Sequence, residues 1–123
     1  MSKKILIVED EKPLSEAYQI VLKKEGFDVD AAYDGEQALE HTKKQEPDLI
    51  LLDLRMPKMS GIEFLKKYKP AKKHPGVKII VFSNLDAQNE IDKAYELGAH
   101  KYMLKAWASP KELVNFVRDT LED

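Results

Sequence analysis

The sequence predicts an α/β domain built on a parallel five-stranded sheet, and three observations carry that prediction. Short apolar runs alternate with amphipathic stretches along the whole 123 residues. Three of the runs, Ile5-Leu6-Ile7-Val8, Leu49-Ile50-Leu51-Leu52 and Ile79-Ile80-Val81-Phe82, are uninterrupted, as strands buried on both faces must be. A helical stretch separates each strand from the next, and parallel strands need such crossovers. The pattern places strands at roughly 4–9, 27–33, 48–53, 77–82 and 101–105.

Each helix carries its own signals. In the first, Leu14, Ala17, Tyr18, Val21 and Leu22 follow the i, i+3, i+4, i+7, i+8 rule, with Pro13 near the start and Gly26 as the stop. Asp34-Gly35-Glu36-Gln37 and Ser60-Gly61-Ile62-Glu63 have N-cap spacing and open the second and third. Gly98 after Glu96-Leu97 closes the fourth. The last helix has Leu113, Phe116, Val117, Thr120 and Leu121 on one face, and it enters through the capping box Ser109-Pro110-Lys111-Glu112.

Strand chemistry also suggests strand order. The second strand alternates Phe27, Val29 and Ala31 with Asp28 and Asp30, and the fifth begins His100-Lys101, so both read as edges. With right-handed crossovers the expected order is 2-1-3-4-5, a flavodoxin-like (βα)5 three-layer sandwich whose switch point lies between strands one and three. The length fits one domain over residues 1–123, and 43% hydrophobic with 34% charged residues is ordinary for a globular protein.

A net charge of -2 gives no electrostatic footprint for nucleic acid, so direct nucleic-acid binding is not expected. The absence of cysteine excludes disulfides, thiolate metal sites and a thiol nucleophile. Met1-Ser2-Lys3-Lys4 leads into an apolar run too short for a signal peptide, and no stretch approaches membrane-spanning length, so the expectation is a cytoplasmic protein without membrane partners. The densest charge cluster, Lys66, Lys67, Lys69, Lys72 and Lys73, reads as a solvated helix end and loop rather than a docking patch.

Chemistry is concentrated at strand ends. Asp53 follows the run Leu49-Ile50-Leu51-Leu52, and Glu9-Asp10 follow Ile5-Leu6-Ile7-Val8. Three carboxylates brought to one rim repel: two unit charges about 4 Å apart cost roughly 4 kcal/mol at an effective dielectric near 20. A charged hydrogen bond offsets only about 1.5 to 3 kcal/mol. A cation is therefore expected if all three are ionised, and an oxygen-only shell suits Mg²⁺.

These residues, with Met56-Pro57 and Gly61 behind Asp53, Ser83 after strand four, and Tyr102 and Lys105 in strand five, resemble the receiver domain of two-component response regulators over the whole chain. That resemblance implies Asp53 as phosphoacceptor, Glu9 and Asp10 as the acid pocket, Ser83 and Lys105 as phosphoryl ligands, and Tyr102 as a switch aromatic. It further implies Mg²⁺ held directly by Asp10 and Asp53, by the backbone carbonyl of Arg55, and by Glu9 through water. The implied function is a phosphorylation-activated signalling switch that catalyses its own aspartyl phosphorylation from a histidine kinase, a phosphotransfer protein or a small donor. The face of helix four, strand five and helix five is the implied surface for an output partner.

The chain departs from the usual receiver pattern in four places. Ala106 stands where proline usually follows the strand-five lysine, and a trans Lys105-Ala106 bond is expected, because a cis bond costs about 3 to 4 kcal/mol before a residue other than proline. Asn84 is larger than the usual residue after the strand-four hydroxyl. Arg55 either reaches over the site or lies in solvent. His100 and Lys101 replace the acids expected in a charge-paired dimer. Two other readings compete: a haloacid-dehalogenase-like phosphohydrolase, which needs an acid where Arg55 stands, and a pseudo-receiver used only for docking, which need not keep the three acids, the hydroxyl and the lysine.

Overall fold

The computed structural model describes residues 2–83, 88–105 and 109–122. Its strands are β1 (Lys4–Val8), β2 (Asp28–Ala32), β3 (Leu49–Leu52), β4 (Lys78–Ser83) and β5 (Lys101–Leu104). Its helices are α1 (Lys12–Lys24), α2 (Gly35–Lys44), α3 (Gly61–Tyr68), α4 (Pro70–Lys73), α5 (Gln88–Glu96) and α6 (Pro110–Glu122). The single-turn α4 lies in a stretch the sequence reads as loop, so the helices expected fourth and fifth are α5 and α6. It forms because Pro70 fixes a helical φ at a first turn that needs no N–H from it, while its lysines carry no apolar periodicity to announce it.

The five strands pair in parallel in the order β2-β1-β3-β4-β5, as expected. Alternation of side chains sends each central strand to two cores. Leu6, Val8, Ile50, Leu52, Ile79 and Val81 face α2, α3 and α5, where they meet Ala38, Phe64, Leu65, Tyr68 and Ala94. Ile5, Ile7, Leu49, Leu51, Ile80 and Phe82 face α1 and α6, where they meet Leu22, Leu113, Val114 and Val117. β2 is covered more fully than a simple edge: Val29 joins the second core and Ala32 the first. Its acids stay on the rim, Asp28 paired with Lys4 at 2.7 Å and Asp30 with His41 at 3.5 Å.

Helix entries follow the cap signals. Ser60 and Glu63 form the reciprocal box, and Asp34 accepts from the Gln37 amide at 2.8 Å. Ser109 accepts from the Glu112 amide at 3.2 Å. Glu11 precedes α1 without a side-chain cap, which leaves Pro13 as that helix's start signal. Gly26 and Gly98 end α1 and α5 at φ 93° and 111°, conformations that favour glycine.

His100 brackets the start of the β4–β5 pair. Its amide donates to the Ile79 carbonyl at 2.8 Å, and its ring Nδ1 accepts from the Ile79 amide at 3.0 Å. Only a neutral imidazole can accept there. Burial first, and then the charge of Lys78, hold the ring's pKa below its ordinary value of 6.5. With the folded pKa depressed, the contribution is complete above the ordinary value and is lost as pH falls through the folded one. Thermal unfolding followed from pH 8 to pH 5 should therefore show a loss of stability at the acid end that His100→Asn, whose Oδ1 can accept the same bond, reduces. An identical profile for the variant would remove His100 from the effect.

Candidate functional site

The register of the sheet brings the strand-end residues onto one rim. Val8 pairs with Leu52 and Leu52 with Val81, so Glu9 and Asp53 leave adjacent strands side by side. Ser83 pairs with Leu104, which puts the Ser83 hydroxyl and Lys105 at the same end of β4 and β5. Backbone bonds fix the first two: the Asp53 amide donates to the Val8 carbonyl at 3.0 Å and the Glu9 amide to the Ala32 carbonyl at 3.1 Å.

Behind Asp53 the chain turns so tightly that only glycine fits. A Cβ on Gly61 would run into the Asp53 carbonyl oxygen and would stand 2.8 Å from Leu54 Cα. The Gly61 amide donates to the Leu54 carbonyl at 3.0 Å, which clamps the α3 entry beneath the site.

Three carboxylates and one ammonium meet on this rim. Glu9, Asp10 and Asp53 each present an oxygen within 4.8 Å of the others, Glu9 and Asp53 being buried and Asp10 half-buried. Lys105 Nζ donates to Asp53 Oδ2 at 2.9 Å and to Glu9 Oε1, and its side chain is only 6% exposed. Asp53 Oδ1 accepts from the Arg55 amide at 3.1 Å. Burial lowers the Lys105 pKa, but the hydrogen bonds it donates to Glu9 and Asp53 and the charges of those carboxylates outweigh it and the net direction is up, so Lys105 is a cation. Glu9 is pushed up to about 8, by burial first and then by its contact with Asp53, with Lys105 pulling the other way.

The buried Glu9 Oε2 has no hydrogen-bond partner among the described residues. Either a proton or a cation satisfies it. The donor set consists of oxygens only and carries more negative charge than Lys105 cancels, so these residues fit a hard divalent cation.

Two features of the rim were not legible in the sequence. The Arg55 guanidinium reaches Glu90 of α5 at 3.5 Å across the groove beside the site, while its side chain stays largely exposed. Aromatic rings line the apolar side: Tyr18 meets Phe82 edge-to-face with centroids 5.0 Å apart, and the Lys105 ammonium lies 6.0 Å from the Phe82 ring. Burial, and then the carboxylates of Glu9 and Asp53, raise the Tyr18 pKa. Amphipathic spacing marks Tyr18 as core without revealing that it borders charged groups.

Ser83 is buried at 1% exposure. Tyr102 is half-buried and packs against the core beneath α3 and α5, as an aromatic in that strand is expected to do. The Lys105-Ala106 bond, Asn84 and the first residues of the loop after β4 lie outside the described residues.

A family model for the response regulator receiver domain matches residues 5–118. The chain belongs to that family. Its receiver fold is shared with a CheY-like response regulator receiver domain protein from Methanospirillum hungatei, at a TM-score of 0.91 and 26% identity, over 99% of this chain and 95% of that one. The receiver domain of a Francisella response regulator matches at 0.85 and 28% identity over 98% of both chains. A DNA-binding response regulator of the LuxR family from Staphylococcus aureus matches at 0.86 and 28% identity, over 97% of this chain and 98% of that one. The protein is thus a receiver domain of two-component response regulators, with an acidic cluster at the carboxyl end of its sheet. The phosphohydrolase reading is not favoured: Arg55 occupies the position of the required acid and is engaged with Glu90. No described helix is long and apolar enough to cross a membrane.

Proposed function

We propose that this receiver, spanning residues 1–123 as one cytoplasmic domain, accepts a phosphoryl group on Asp53 from a histidine kinase, a phosphotransfer protein or a small donor, and thereby switches an output partner. The observation that carries the reading is the joint contact of Lys105 with Asp53 and Glu9 at the carboxyl ends of β1, β3 and β5. Asp10 and Asp53, the Arg55 carbonyl, and Glu9 through water are the proposed ligands of Mg²⁺. A bound Mg²⁺ would supply positive charge shared between these carboxylates and the phosphoryl oxygens.

This chain's own groups do the rest. An Asp53 carboxylate oxygen forms the bond to phosphorus as the donor's P–N or P–O bond breaks, and the leaving group departs on the opposite side. Because Oδ1 and Oδ2 each already accept a hydrogen bond, the attacking oxygen exchanges one of these contacts for the new bond. Lys105 then donates to a phosphoryl oxygen instead of the carboxylate, and Ser83 donates from the end of β4. Ser83 ends β4 ahead of α5, while Lys105 directly follows β5, which carries Tyr102. The charge placed on Asp53 thus acts on the α5–β5–α6 face, the proposed surface for the output partner.

The test is incubation with acetyl phosphate and Mg²⁺ followed by intact-mass measurement. One phosphoryl adduct is expected, and a chelator should abolish it while leaving the circular dichroism spectrum unchanged. A rate indifferent to chelator would remove the metal from the mechanism, and no adduct under any condition would leave a docking module only.

A further inference from the structure

A concentration of unpaired charge lies at the opposite rim from Asp53, where α3 ends. Lys66, Lys67, Lys69, Lys72 and Lys73 are all exposed, and none has an ion-pair partner among the described residues. The sequence reads this stretch as a solvated helix end and loop rather than a docking patch. In the structure three of them, Lys66, Lys69 and Lys72, line a cleft. α3 stops at Lys69, α4 turns back across its end, and α5 closes the third side. The open groove between them has a volume of about 250 Å³, with Leu65, Ala71 and Leu97 as its apolar part and Lys66, Lys69 and Lys72 around it.

The cleft is built rather than incidental. Pro70 is buried, and Gly98 at the end of α5 approaches it so closely that a Cβ there would stand 2.9 Å from Pro70 Cγ. The α4 wall is therefore held against the end of α5 by packing. Lys69, which begins that wall, is in the left-handed region at φ 54°, where glycine or asparagine is the less strained choice. Its side chain stands at the mouth of the cleft at a local conformational cost.

We propose that this cleft is a docking site for an acidic protein segment carrying one apolar anchor residue. The concave apolar part takes the anchor, and the lysines around it pair with carboxylates on either side. The patch contains no arginine for bidentate phosphate contacts, and no aromatic side chain lines the cleft to stack on a base, which disfavours nucleic acid. Its apolar part is recessed rather than protruding, which disfavours a lipid surface. Among the described residues Glu96 is the one acid lining the cleft, and its partner Lys93 stands 3.8 Å away on α5. The site is independent of phosphorylation at Asp53, so its success or failure leaves that reading untouched.

The experiment titrates the unphosphorylated protein into a fluorescein-labelled peptide of Asp and Glu residues around one central Leu, read by anisotropy and by amide shifts. Shifts are expected at residues 65–73 and 96–97, with binding weakened about tenfold between low and high salt. Lys66→Glu combined with Lys69→Glu and Lys72→Glu should abolish binding. Lys69→Gly relieves the backbone, so it should keep or raise the melting temperature while weakening the peptide about twofold to fivefold. Replacing the central Leu of the peptide by Ser should also weaken it. The proposal is overturned by absent binding, by affinity unchanged in Lys69→Gly or with the Ser peptide, or by tighter binding of oligothymidine or phosphatidylserine vesicles than of the peptide.

Discussion

Asp53→Asn is expected to abolish the phosphoryl adduct formed with acetyl phosphate and Mg²⁺. Asparagine keeps the shape of the side chain and an oxygen able to accept from the Arg55 amide, which Asp53 Oδ1 accepts at 3.1 Å. It loses the anionic oxygen that would attack phosphorus, and the amide is a far weaker nucleophile. Folding should not suffer. The substitution takes one carboxylate away from buried Glu9, whose raised pKa owes part of its shift to Asp53, so the repulsion on the rim falls. The melting temperature should match or exceed that of the parent, which separates lost chemistry from lost structure. An adduct forming at the parent rate would move the phosphoacceptor elsewhere, and Asp10, half-buried on the same rim, would be the next residue to replace.

What the sequence makes legible here is whatever repeats locally. Continuous apolar runs mark β1, β3 and β4 as central, because such runs fit only strands covered on both sides. Caps at Asp34, Ser60 and Ser109 are legible because the three-residue spacing is itself the geometry of the bond. The candidate site is legible by position: Glu9, Asp53, Ser83 and Lys105 each fall at a strand end, and parallel strands put all such ends on one rim.

Contacts set by packing between distant elements are not legible. Arg55 finds Glu90 only because α5 lies over the loop after β3, and no spacing encodes that. Nor does the lysine cluster announce a cleft, since α4 is one turn long and its enclosure depends on Gly98, far along the chain. Strand β2 is the edge its alternating acids predict, but the alternation does not reveal that Ala32 and Val29 join different cores.

Lys105→Met should uncouple the acidic rim from β5. The Lys105 side chain, 6% exposed, is the one cation among the described residues that touches both Asp53 and Glu9, and Met preserves its length while removing charge and donors. In the parent protein, beryllofluoride, a phosphoryl mimic, is expected to move amide resonances of α5 and β5 more than those of β2, since Ser83 and Lys105 lead into the first two. A hydrogen bond to an ionised group is worth about 1.5 to 3 kcal/mol, so the variant should hold beryllofluoride about tenfold to hundredfold more weakly. At saturating mimic, the response of Lys101–Leu104 should fall while that of Gln88–Glu96, reached through Ser83, persists. Removing one partner from a buried ion pair commonly costs about 3 to 5 kcal/mol of stability. Glu9 softens that cost here, because its raised pKa lets it take up a proton in place of the lost cation. Parent-like affinity with an undiminished β5 response would show that Lys105 neutralises the resting site without sensing the phosphoryl group, and the switch would then run through Ser83 alone.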